Sequence, residues 1–290
     1  MNQNVDYEKV RSFKTKYLIV LSILTVFIIL AGTVFRHSAW VDGTFSFLRI
    51  STGKQTKVTW NKQDLGSPCH ELDISMAYGD INLVCDGREE ITYNGPSKLL
   101  PKVSAKDGIW TLRQKKQTRS VGFLFFSHPV SGKLTLHLPS DEVLKHLSIT
   151  TQYGDMDVKN LTAENATFHL SCGDLTMKDT TVSTGKVDLS MGDFDLKNCK
   201  VSSLNTSISM GDFSAKNTAF HQLTADLSMG DVSIKSSRDL RDAAMNLSTS
   251  LGDINVNRQK SDDEYQTPAK NGSKDSFLIE NSMGDIDLFW

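Results

Sequence analysis

The sequence predicts an all-β protein: a parallel β-solenoid of about 19-residue coils with an antiparallel β N-terminal section, preceded by a single transmembrane helix. Three observations predict this architecture. A Gly-Asp dipeptide recurs at a fixed step, apolar and polar residues alternate around each copy, and one uncharged apolar stretch lies near the start of the chain. The predicted segments are a cytoplasmic tail (1–16), a transmembrane helix (17–35), a juxtamembrane segment (36–70), an N-terminal β section (71–150) and a β-solenoid of Gly-Asp repeats (151–290).

The apolar stretch at residues 17–35, YLIVLSILTVFIILAGTVF, carries no formal charge. At a helical rise of about 1.5 Å per residue, it matches a hydrocarbon core of about 30 Å. Four basic and only two acidic residues precede it, so this short side should stay in the cytoplasm. A cleaved signal peptide is the alternative, but the stretch is longer than a usual signal core and has no convincing A-x-A site. We therefore expect a single-pass protein of the cell membrane with a cytoplasmic N-terminus and an extracellular C-terminal domain.

The composition is that of an ordinary globular protein. Hydrophobic residues make up 39% of the 290 residues and charged residues 23%, which excludes a disordered chain, a collagen-like chain and a small disulfide scaffold. The formal net charge is −2, and after the apolar stretch 28 Lys and Arg residues stand against 32 Asp and Glu, a net charge of −4. Nucleic acid is therefore not an expected partner, and the chain as a whole has no broad attraction for anionic polymers.

The Gly-Asp repeat decides the prediction for most of the chain. Eight copies occur, and the four successive steps between Gly154 and Gly230 are nineteen residues each. A unit of this size cannot bury its apolar face alone, so the units should stack into a parallel solenoid with a coil spacing of about 4.8 Å. An antiparallel sandwich of hairpins that turn at each Gly-Asp is the alternative. The eight copies are Gly79 and Asp80, Gly154 and Asp155, Gly173 and Asp174, Gly192 and Asp193, Gly211 and Asp212, Gly230 and Asp231, Gly252 and Asp253, and Gly284 and Asp285.

Equivalent positions around the dipeptide carry similar residues. An apolar residue follows each Asp and another lies two positions further on, as in Phe194 and Leu196. This period-two alternation is typical of a strand with one buried face. The residue before each Gly is also apolar or aromatic, and we expect a bend at Gly-Asp to let both flanking strands face one core. This set comprises Tyr78, Tyr153, Cys172, Met191, Met210, Met229, Leu251 and Met283.

The N-terminal β section is less regular. Residues 71–83 form a detached first copy of the motif. Residues 91–139 have the pattern of antiparallel strands, with a hairpin turn at Asp107-Gly108. This section should begin the sheet and seal the membrane-proximal end of the stack.

The C-terminal end is expected to close the stack. Residues 257–276 are polar and contain Pro and Gly, which predicts a loop that protrudes from the last coil. The segment after it should complete the solenoid, with Phe289 and Trp290 as a cap. Open solenoid ends need such a cap because they otherwise pair edge to edge.

The four cysteines have no spacing that indicates zinc. An extracellular location permits disulfides, and Cys69 and Cys85 are the more plausible pair because they flank one short hairpin-like segment. Cys172 occupies a position where other repeats carry Met, so we expect a small buried hydrophobic residue.

Two columns of charged residues are candidate functional sites. The Asp of each repeat is interpreted as a structural turn residue that binds backbone N–H groups. Bound Ca²⁺ is the alternative, but the glycine-rich nonapeptide pattern of calcium-binding β-rolls is absent, and no other cofactor is indicated. A second column could bind an anionic wall or lipid polymer, or could simply be a solvated edge that blocks aggregation. Its members are Lys159, Lys178, Lys197, Lys216 and Lys235, with Asn160, Asp179, Asn198 and Asn217 after them as corner residues.

No catalytic motif stands out. The sequence has no G-x-S-x-G, H-E-x-x-H, P-loop or G-x-G-x-x-G pattern, so we expect no enzyme activity. His169 could meet Asp188 on a neighbouring coil, but one such pair is weak evidence for catalysis. The segment 115–126 mixes basic and aromatic residues, which fits either an anionic membrane surface or a loop that ends in a buried strand.

The Tyr/Met-Gly-Asp-Ile/Phe-x-Leu/Val repeat behind an N-terminal anchor resembles the bacterial "putative adhesin" β-strand-repeat family, which includes the Lia-type cell-envelope-stress proteins. The resemblance covers residues 70–290 and includes the segments 93–96, 106–108 and 138–139. It implies a β-solenoid at the cell surface and a link to envelope stress or surface interaction, and it supplies no catalytic residues. The sequence departs from the family pattern by an insertion near 238–242 and by the long loop at 257–276.

Three functions follow as hypotheses. The leading one is a membrane-anchored, non-enzymatic binding or scaffold protein of the cell envelope, whose partner is a cell-wall polymer, a lipid or another membrane protein. The second is a solenoid that assembles end to end. The third, which the missing motifs disfavour, is a polysaccharide-active β-helix enzyme.

Overall fold

The computed structural model describes residues 54–115, 132–140 and 142–290, which lie within one compact unit, Thr52–Trp290. The predicted transmembrane helix at 17–35 and most of the basic and aromatic segment 115–126 lie outside the described residues. Within the described ranges, no helix is long and apolar enough to cross a membrane.

Nearly all of the regular secondary structure in the described residues is β-strand. One short helix, α1 (Lys62–Leu65), and a 3-10 turn at Ser97–Leu99 are the helical elements of these ranges. The strands are β1 (Gln55–Asn61), β2 (Glu71–Tyr78), β3 (Asp80–Cys85), β4 (Glu90–Pro96), β5 (Lys102–Lys106), β6 (Ile109–Arg113), β7 (Lys133–Leu138), β8 (Val143–Tyr153), β9 (Met156–Lys159), β10 (Thr162–Cys172), β11 (Leu175–Lys178), β12 (Thr181–Met191), β13 (Phe194–Lys197), β14 (Lys200–Met210), β15 (Phe213–Leu227), β16 (Val232–Ser236), β17 (Ala244–Thr249), β18 (Ile254–Val256), β19 (Gln259–Ser261), β20 (Glu264–Thr267), β21 (Ser276–Asn281) and β22 (Ile286–Phe289).

Each regular coil contains one short and one long strand, and successive coils pair in parallel. In the sheet of short strands, Met177 of β11 lies opposite Leu196 of β13. In the sheet of long strands, Leu170 of β10 lies opposite Leu189 of β12. These partners are nineteen residues apart, so the prediction of a parallel stack of 19-residue coils is confirmed and the antiparallel sandwich is not formed.

Three corners turn each coil. The first is Gly-Asp, and the second is the Asn or Asp after each Lys, where Asn160, Asp179, Asn198 and Asn217 have φ between 51° and 57°. Asn and Asp tolerate this left-handed conformation better than other residues with a side chain, which explains their recurrence there. The third corner is a bulge in the long strand, where residues such as Glu164 are skipped by the pairing.

The core consists of apolar side chains at equivalent repeat positions, which stack from coil to coil. Leu175, Phe194, Phe213 and Val232 lie on neighbouring strands and are at most 1% exposed. The rings of Phe194 and Phe213 stack with centroids 5.2 Å apart and planes 15° apart. Because every coil contributes such residues, burial is continuous along the stack rather than confined to one cluster.

The predicted detached copy of the motif stacks directly on the regular coils. Strand β2 pairs in parallel with β8 and β6, and β3 pairs in parallel with β9 and β7. Beyond this coil, β4 and β1 extend the sheet of short strands antiparallel, and β5 pairs antiparallel with β6 through a turn at Asp107 and Gly108, both at positive φ. The predicted hairpin is therefore confirmed.

The C-terminal end differs from the prediction. Strands β21 and β22 lie between the coil of β16 and the coil of β17 and β18, so the last repeat of the chain is not the last coil of the stack. After Ser236 the chain skips one coil position of the stack and forms the next coil with β17 and β18. The C-terminal strands β21 and β22 then occupy the skipped position. The predicted cap of Phe289 and Trp290 is wrong, because Phe289 pairs in register with Lys235.

The actual cap comes from the polar loop. Strand β19 pairs antiparallel with β18, and β20 pairs antiparallel with β17. Both ends of the described stack are thus covered by antiparallel strands, which blocks the addition of a further parallel coil.

All four cysteines are free thiols in the structure. The predicted Cys69–Cys85 disulfide is therefore not formed, although both side chains are buried. Burial raises the pKa of both thiols, that of Cys85 to about 11. Cys172 is only half-buried, so the prediction that it is a buried hydrophobic residue is wrong.

Candidate functional site

The Gly-Asp corners align in a column of glycines. Their order in space is Gly79, Gly154, Gly173, Gly192, Gly211, Gly230, Gly284 and Gly252. Gly192 has a φ of +138°, and a Cβ atom on it would lie 2.1 Å from the carbonyl oxygen of Gly173. Only glycine fits such a corner, because neighbouring coils approach more closely there than any side chain allows.

The aspartates beside them form a hydrogen-bonded ladder, the aspartate column. The Oδ1 atom of Asp193 accepts a hydrogen bond from the backbone N–H of Asp212, and Asp174 does the same for Asp193. Seven such bonds, between 2.8 and 3.2 Å, connect all eight aspartates in their spatial order. Each bond places a backbone dipole against a carboxylate and so offsets part of the repulsion between neighbouring charges.

The aspartate column does not gather into a metal site. Its carboxylates lie one per coil along the stack, and all except that of Asp253, at the end of the column, accept a hydrogen bond from a backbone N–H group. Among the described residues, no three His, Cys, Asp or Glu side chains come together in a way that could hold a metal ion. The geometry thus gives the Ca²⁺ alternative no ligand set in this part of the chain.

The five predicted lysines form a continuous lysine column at the next corner. Lys159, Lys178, Lys197, Lys216 and Lys235 lie opposite one another on five adjacent short strands. Of these, only Lys178 makes an ion pair within the described ranges, 3.6 Å from the adjacent Asp179. The lysine column lies four residues along the chain from the aspartate column, roughly 13 Å on a strand, so the sheet of short strands has one acidic and one basic border.

A third column was missed by the sequence analysis. The residues before each Gly, which we expected to face the core, form an apolar column in which five members are exposed and Tyr78, Cys172 and Met283 are half-buried. The column runs Tyr78, Tyr153, Cys172, Met191, Met210, Met229, Met283 and Leu251. Met191 is 45% exposed, Met210 43% and Met229 42%. The rings of Tyr78 and Tyr153 stack with centroids 5.4 Å apart. One signal could have revealed this column: it contains no Val, Ile or Phe, whereas the core columns do.

The remaining polar clusters are local ion pairs. His169 Nδ1 lies 2.9 Å from Asp188 Oδ2, as the sequence suggested. Hydrogen bonds from Arg88 lower the pKa of Asp86 to about 2, with a smaller contribution from His137. Each of these groups ties neighbouring strands together at the surface.

A second ion-pair cluster holds the C-terminal insertion. Asp275 lies 2.8 Å from both His221 and Arg238. Burial acts to raise the pKa of Asp275, but the hydrogen bonds from His221 and Arg238 outweigh it and lower that pKa below its ordinary value. The cluster therefore links the insertion after β16 to the segment that precedes β21.

One family model, described as Toastrack DUF4097, matches residues 69–288, the range that contains all eight Gly-Asp corners. The chain belongs to the Toastrack DUF4097 family. The predicted resemblance to the adhesin-like β-strand-repeat proteins is confirmed at this level, while the narrower Lia-type assignment stays a prediction. No curated protein matches the chain.

Several solved structures are similar to this Toastrack chain. A "putative cell adhesion protein" from Clostridium sporogenes is 14% identical, with 81% of this chain and 98% of that chain covered and a TM-score of 0.39. A "putative adhesin" from Bacteroides fragilis is 13% identical, with 81% and 96% covered and a TM-score of 0.44. A "putative lipid binding protein" from Parabacteroides distasonis is 12% identical, with 81% and 97% covered and a TM-score of 0.38.

Proposed function

We propose that this Toastrack protein is a membrane-anchored, extracytoplasmic binding or scaffold protein of the cell envelope without enzymatic activity, and that its lysine column binds an anionic polymer or lipid surface. The observation that carries the proposal is the register of five lysines on five adjacent coils. The anchor and its orientation rest on the uncharged stretch at 17–35 and on the basic residues before it.

The spacing of the lysine column suits a polyanion. The strands that carry these lysines are about 4.8 Å apart, and two ammonium groups at that spacing would repel each other by about 1 kcal/mol even in water. A chain of phosphates or carboxylates laid along the column relieves this repulsion at every coil. Lys216 and Lys235 are the best placed for such a ligand, because the residues two positions before them are serines and neither lysine makes an ion pair within the described ranges.

The two other functions have less support. End-to-end assembly requires open parallel edges, whereas β5 and β1 cover one end of the described stack and β19 and β20 the other. A polysaccharide-active enzyme requires converging carboxylates, whereas the aspartate column spreads its carboxylates one per coil. A part in the response to envelope stress follows only from the Lia-type resemblance.

Co-sedimentation tests the proposal. The full-length chain in zwitterionic nanodiscs is mixed with purified cell-wall sacculi or with phosphatidylglycerol vesicles, and empty nanodiscs serve as the blank. The triple variant Lys197→Gln, Lys216→Gln and Lys235→Gln should lose at least tenfold in affinity for whichever surface binds.

The matched control changes the same charge elsewhere. Lys98→Gln, Lys145→Gln and Lys274→Gln replace three exposed lysines outside the column and should keep the affinity within twofold. Equal losses in both triple variants would reduce the effect to net charge, and no binding to either surface would contradict the proposed role of the lysine column. Protease protection of residues 1–16 in sealed membrane vesicles tests the orientation of the anchor.

A further inference from the structure

The apolar column concentrates exposed hydrophobic surface in one place. In the described ranges, eight large hydrophobic side chains are exposed, and five of them belong to this column. They are Tyr153, Met191, Met210, Met229 and Leu251, between 42% and 55% exposed. Scattered single hydrophobic residues need no explanation on a protein surface, but an aligned set indicates an interaction surface.

The column is continuous because the coils are stacked in register. Tyr153 lies opposite both Tyr78 and Cys172, and Met191 lies opposite Met210. At about 4.8 Å per coil, its eight positions form a stripe roughly 34 Å long. The exposed apolar area is on the order of 500 Å², as large as the largest apolar patch of a typical monomeric protein.

The surroundings of the stripe are asymmetric. On one side, the preceding residue is mostly a small exposed serine, such as Ser190, Ser209 or Ser228, which leaves the stripe open. On the other side, just across the glycine, lies the aspartate column. None of its eight carboxylates forms an ion pair in the described part of the chain. The stripe therefore has one continuous acidic border.

This combination defines the chemistry of the partner. An apolar ligand alone would leave the carboxylates without a positive counter-charge, and a second copy of the same stripe would bring two aspartate columns together. A ligand with one apolar face and a flank of positive charge satisfies both columns at once. Methionine side chains adapt to apolar partners of different shape, which favours a polypeptide face over one rigid small molecule.

We propose that the apolar column and the aspartate column together bind a cationic amphipathic polypeptide segment. In a helix of about 20 residues, which is about 30 Å long, an apolar stripe can follow the apolar column. Lys and Arg side chains on one flank of that helix then reach the aspartate column. This site uses the Gly-Asp corner of the coil and does not depend on the lysine column or its anionic ligand.

A designed peptide tests the proposal on the full-length chain in zwitterionic nanodiscs. The probe is a 20-residue Leu/Lys peptide with an amphipathic helical pattern, and empty nanodiscs serve as the blank. Two control peptides replace every Lys by Glu or every Leu by Ser. We expect binding of the Leu/Lys peptide and at least tenfold weaker binding of both control peptides.

Two variants of the protein separate the two columns. The methionine variant removes the central apolar side chains by Met191→Gln, Met210→Gln and Met229→Gln. The asparagine variant removes charge but keeps the oxygen that accepts the N–H bond, by Asp193→Asn, Asp212→Asn and Asp231→Asn. Each should weaken the peptide at least tenfold, and the asparagine variant should also flatten its salt dependence. The lysine-column variant should bind it at least as tightly as the unchanged chain.

Cys172 reports whether the peptide lies on the stripe. Its thiol is half-buried within the apolar column, whereas the other three thiols are buried. The bound peptide should slow alkylation of Cys172 by iodoacetamide at least tenfold. Unchanged alkylation, unchanged affinity in the methionine variant, or equal binding of the Glu peptide would overturn the proposal. Self-association that disappears in the methionine variant would instead assign the stripe to a second copy of the chain.

Discussion

The carboxylate of Asp193 accepts a hydrogen bond at 2.8 Å from the backbone N–H of Asp212, its counterpart one coil further along. The same residue is therefore acceptor for one neighbour and, through its own N–H, donor to Asp174. Each Asp can accept the hydrogen bond from its counterpart only if the two coils are aligned so that equivalent residues lie opposite one another. The aspartate column thus fixes the register of the coils as well as the turn at each corner.

Loss of the acceptor at Asp193 should destabilise the corner. Asp193→Ala removes the oxygen that the Asp212 N–H uses, which we expect to cost about 1 kcal/mol at this exposed site. Asp193→Asn keeps an acceptor oxygen and removes one of several neighbouring negative charges, so its stability should equal or exceed that of the unchanged chain. Urea unfolding of the three proteins checks this order, and an equal loss in both variants would show that charge, not the acceptor, matters.

The two kinds of glycine in the coils should respond in opposite ways. Gly192→Ala places a Cβ atom 2.1 Å from a carbonyl oxygen at a φ of +138°, and we expect a loss of about 3 kcal/mol or more. Gly185 lies inside β12 at ordinary φ, and its nearest neighbour would be the tip of the Leu204 side chain at 3.1 Å.

The tip of Leu204 has some room to move, because Gly185 and Leu204 both line a small gap between core side chains. Gly185→Ala should therefore leave stability unchanged or raise it by about 0.5 kcal/mol. Thermal unfolding of both variants measures the contrast. A loss of more than about 1 kcal/mol in Gly185→Ala would show that this gap does not accommodate the displaced side chain.

The asparagine corner should depend on conformation and on a side-chain ladder. Asn198 has a φ of 55°, donates through Nδ2 to Asp179 and accepts through Oδ1 from Asn217. Asn198→Ala loses both hydrogen bonds and places alanine in the unfavourable left-handed conformation, so its free energy of unfolding should fall by about 2 kcal/mol. Asn198→Gly keeps the conformation, so it should lose about half as much. If the glycine variant is the less stable of the two, the conformational explanation fails.

Asp86 should contribute to stability only above acidic pH. Arg88 and His137 lower its pKa to about 2 in the folded chain, below the ordinary value of 3.8. A lowered carboxylate pKa stabilises the fold above the unfolded-state value, and this contribution disappears as the pH falls through the folded-state value. At pH 7, Asp86→Asn should therefore be less stable by at most about 1 kcal/mol, because the pair is at the surface.

Urea titrations of Asp86→Asn from pH 7 to pH 2 follow this difference. The two unfolding curves should converge toward pH 2. A difference that stays constant over this range would assign the loss to altered packing rather than to the ionised carboxylate.

The regular coils could be predicted because the sequence repeat places side chains of similar size and polarity at equivalent positions of each coil. Residues nineteen apart, such as Phe194 and Phe213, are of similar size, so they stack when the coils pair in parallel. The corners were equally accessible, since Asn198 and its equivalents are residues that tolerate the left-handed region. Local chemistry and the spacing of the repeat point to the same structure.

The order of the last coils could not be predicted, because equivalent coils can pair in any sequence. The connection after Ser236 decides the order, because it lets the chain skip one coil position, which β21 and β22 later occupy. The exposure of Met191 was missed for a different reason. Alternation assigns it to the inner side of the strand, but it lies at the corner, where Gly192 has no side chain to cover it.

A disulfide scan of the apolar column tests the central claim most directly, namely that the repeats form continuous columns in the observed coil order. In a Cys172→Ser background, Met229→Cys with Met283→Cys joins adjacent coils about 4.8 Å apart, a distance that a disulfide spans. Met229→Cys with Leu251→Cys joins positions two coils apart, about 10 Å, which it does not span. We predict a disulfide in the first oxidised protein and none between the introduced cysteines in the second, as read by peptide mass. The reverse result would place the last repeat at the end of the stack and contradict the columns as described.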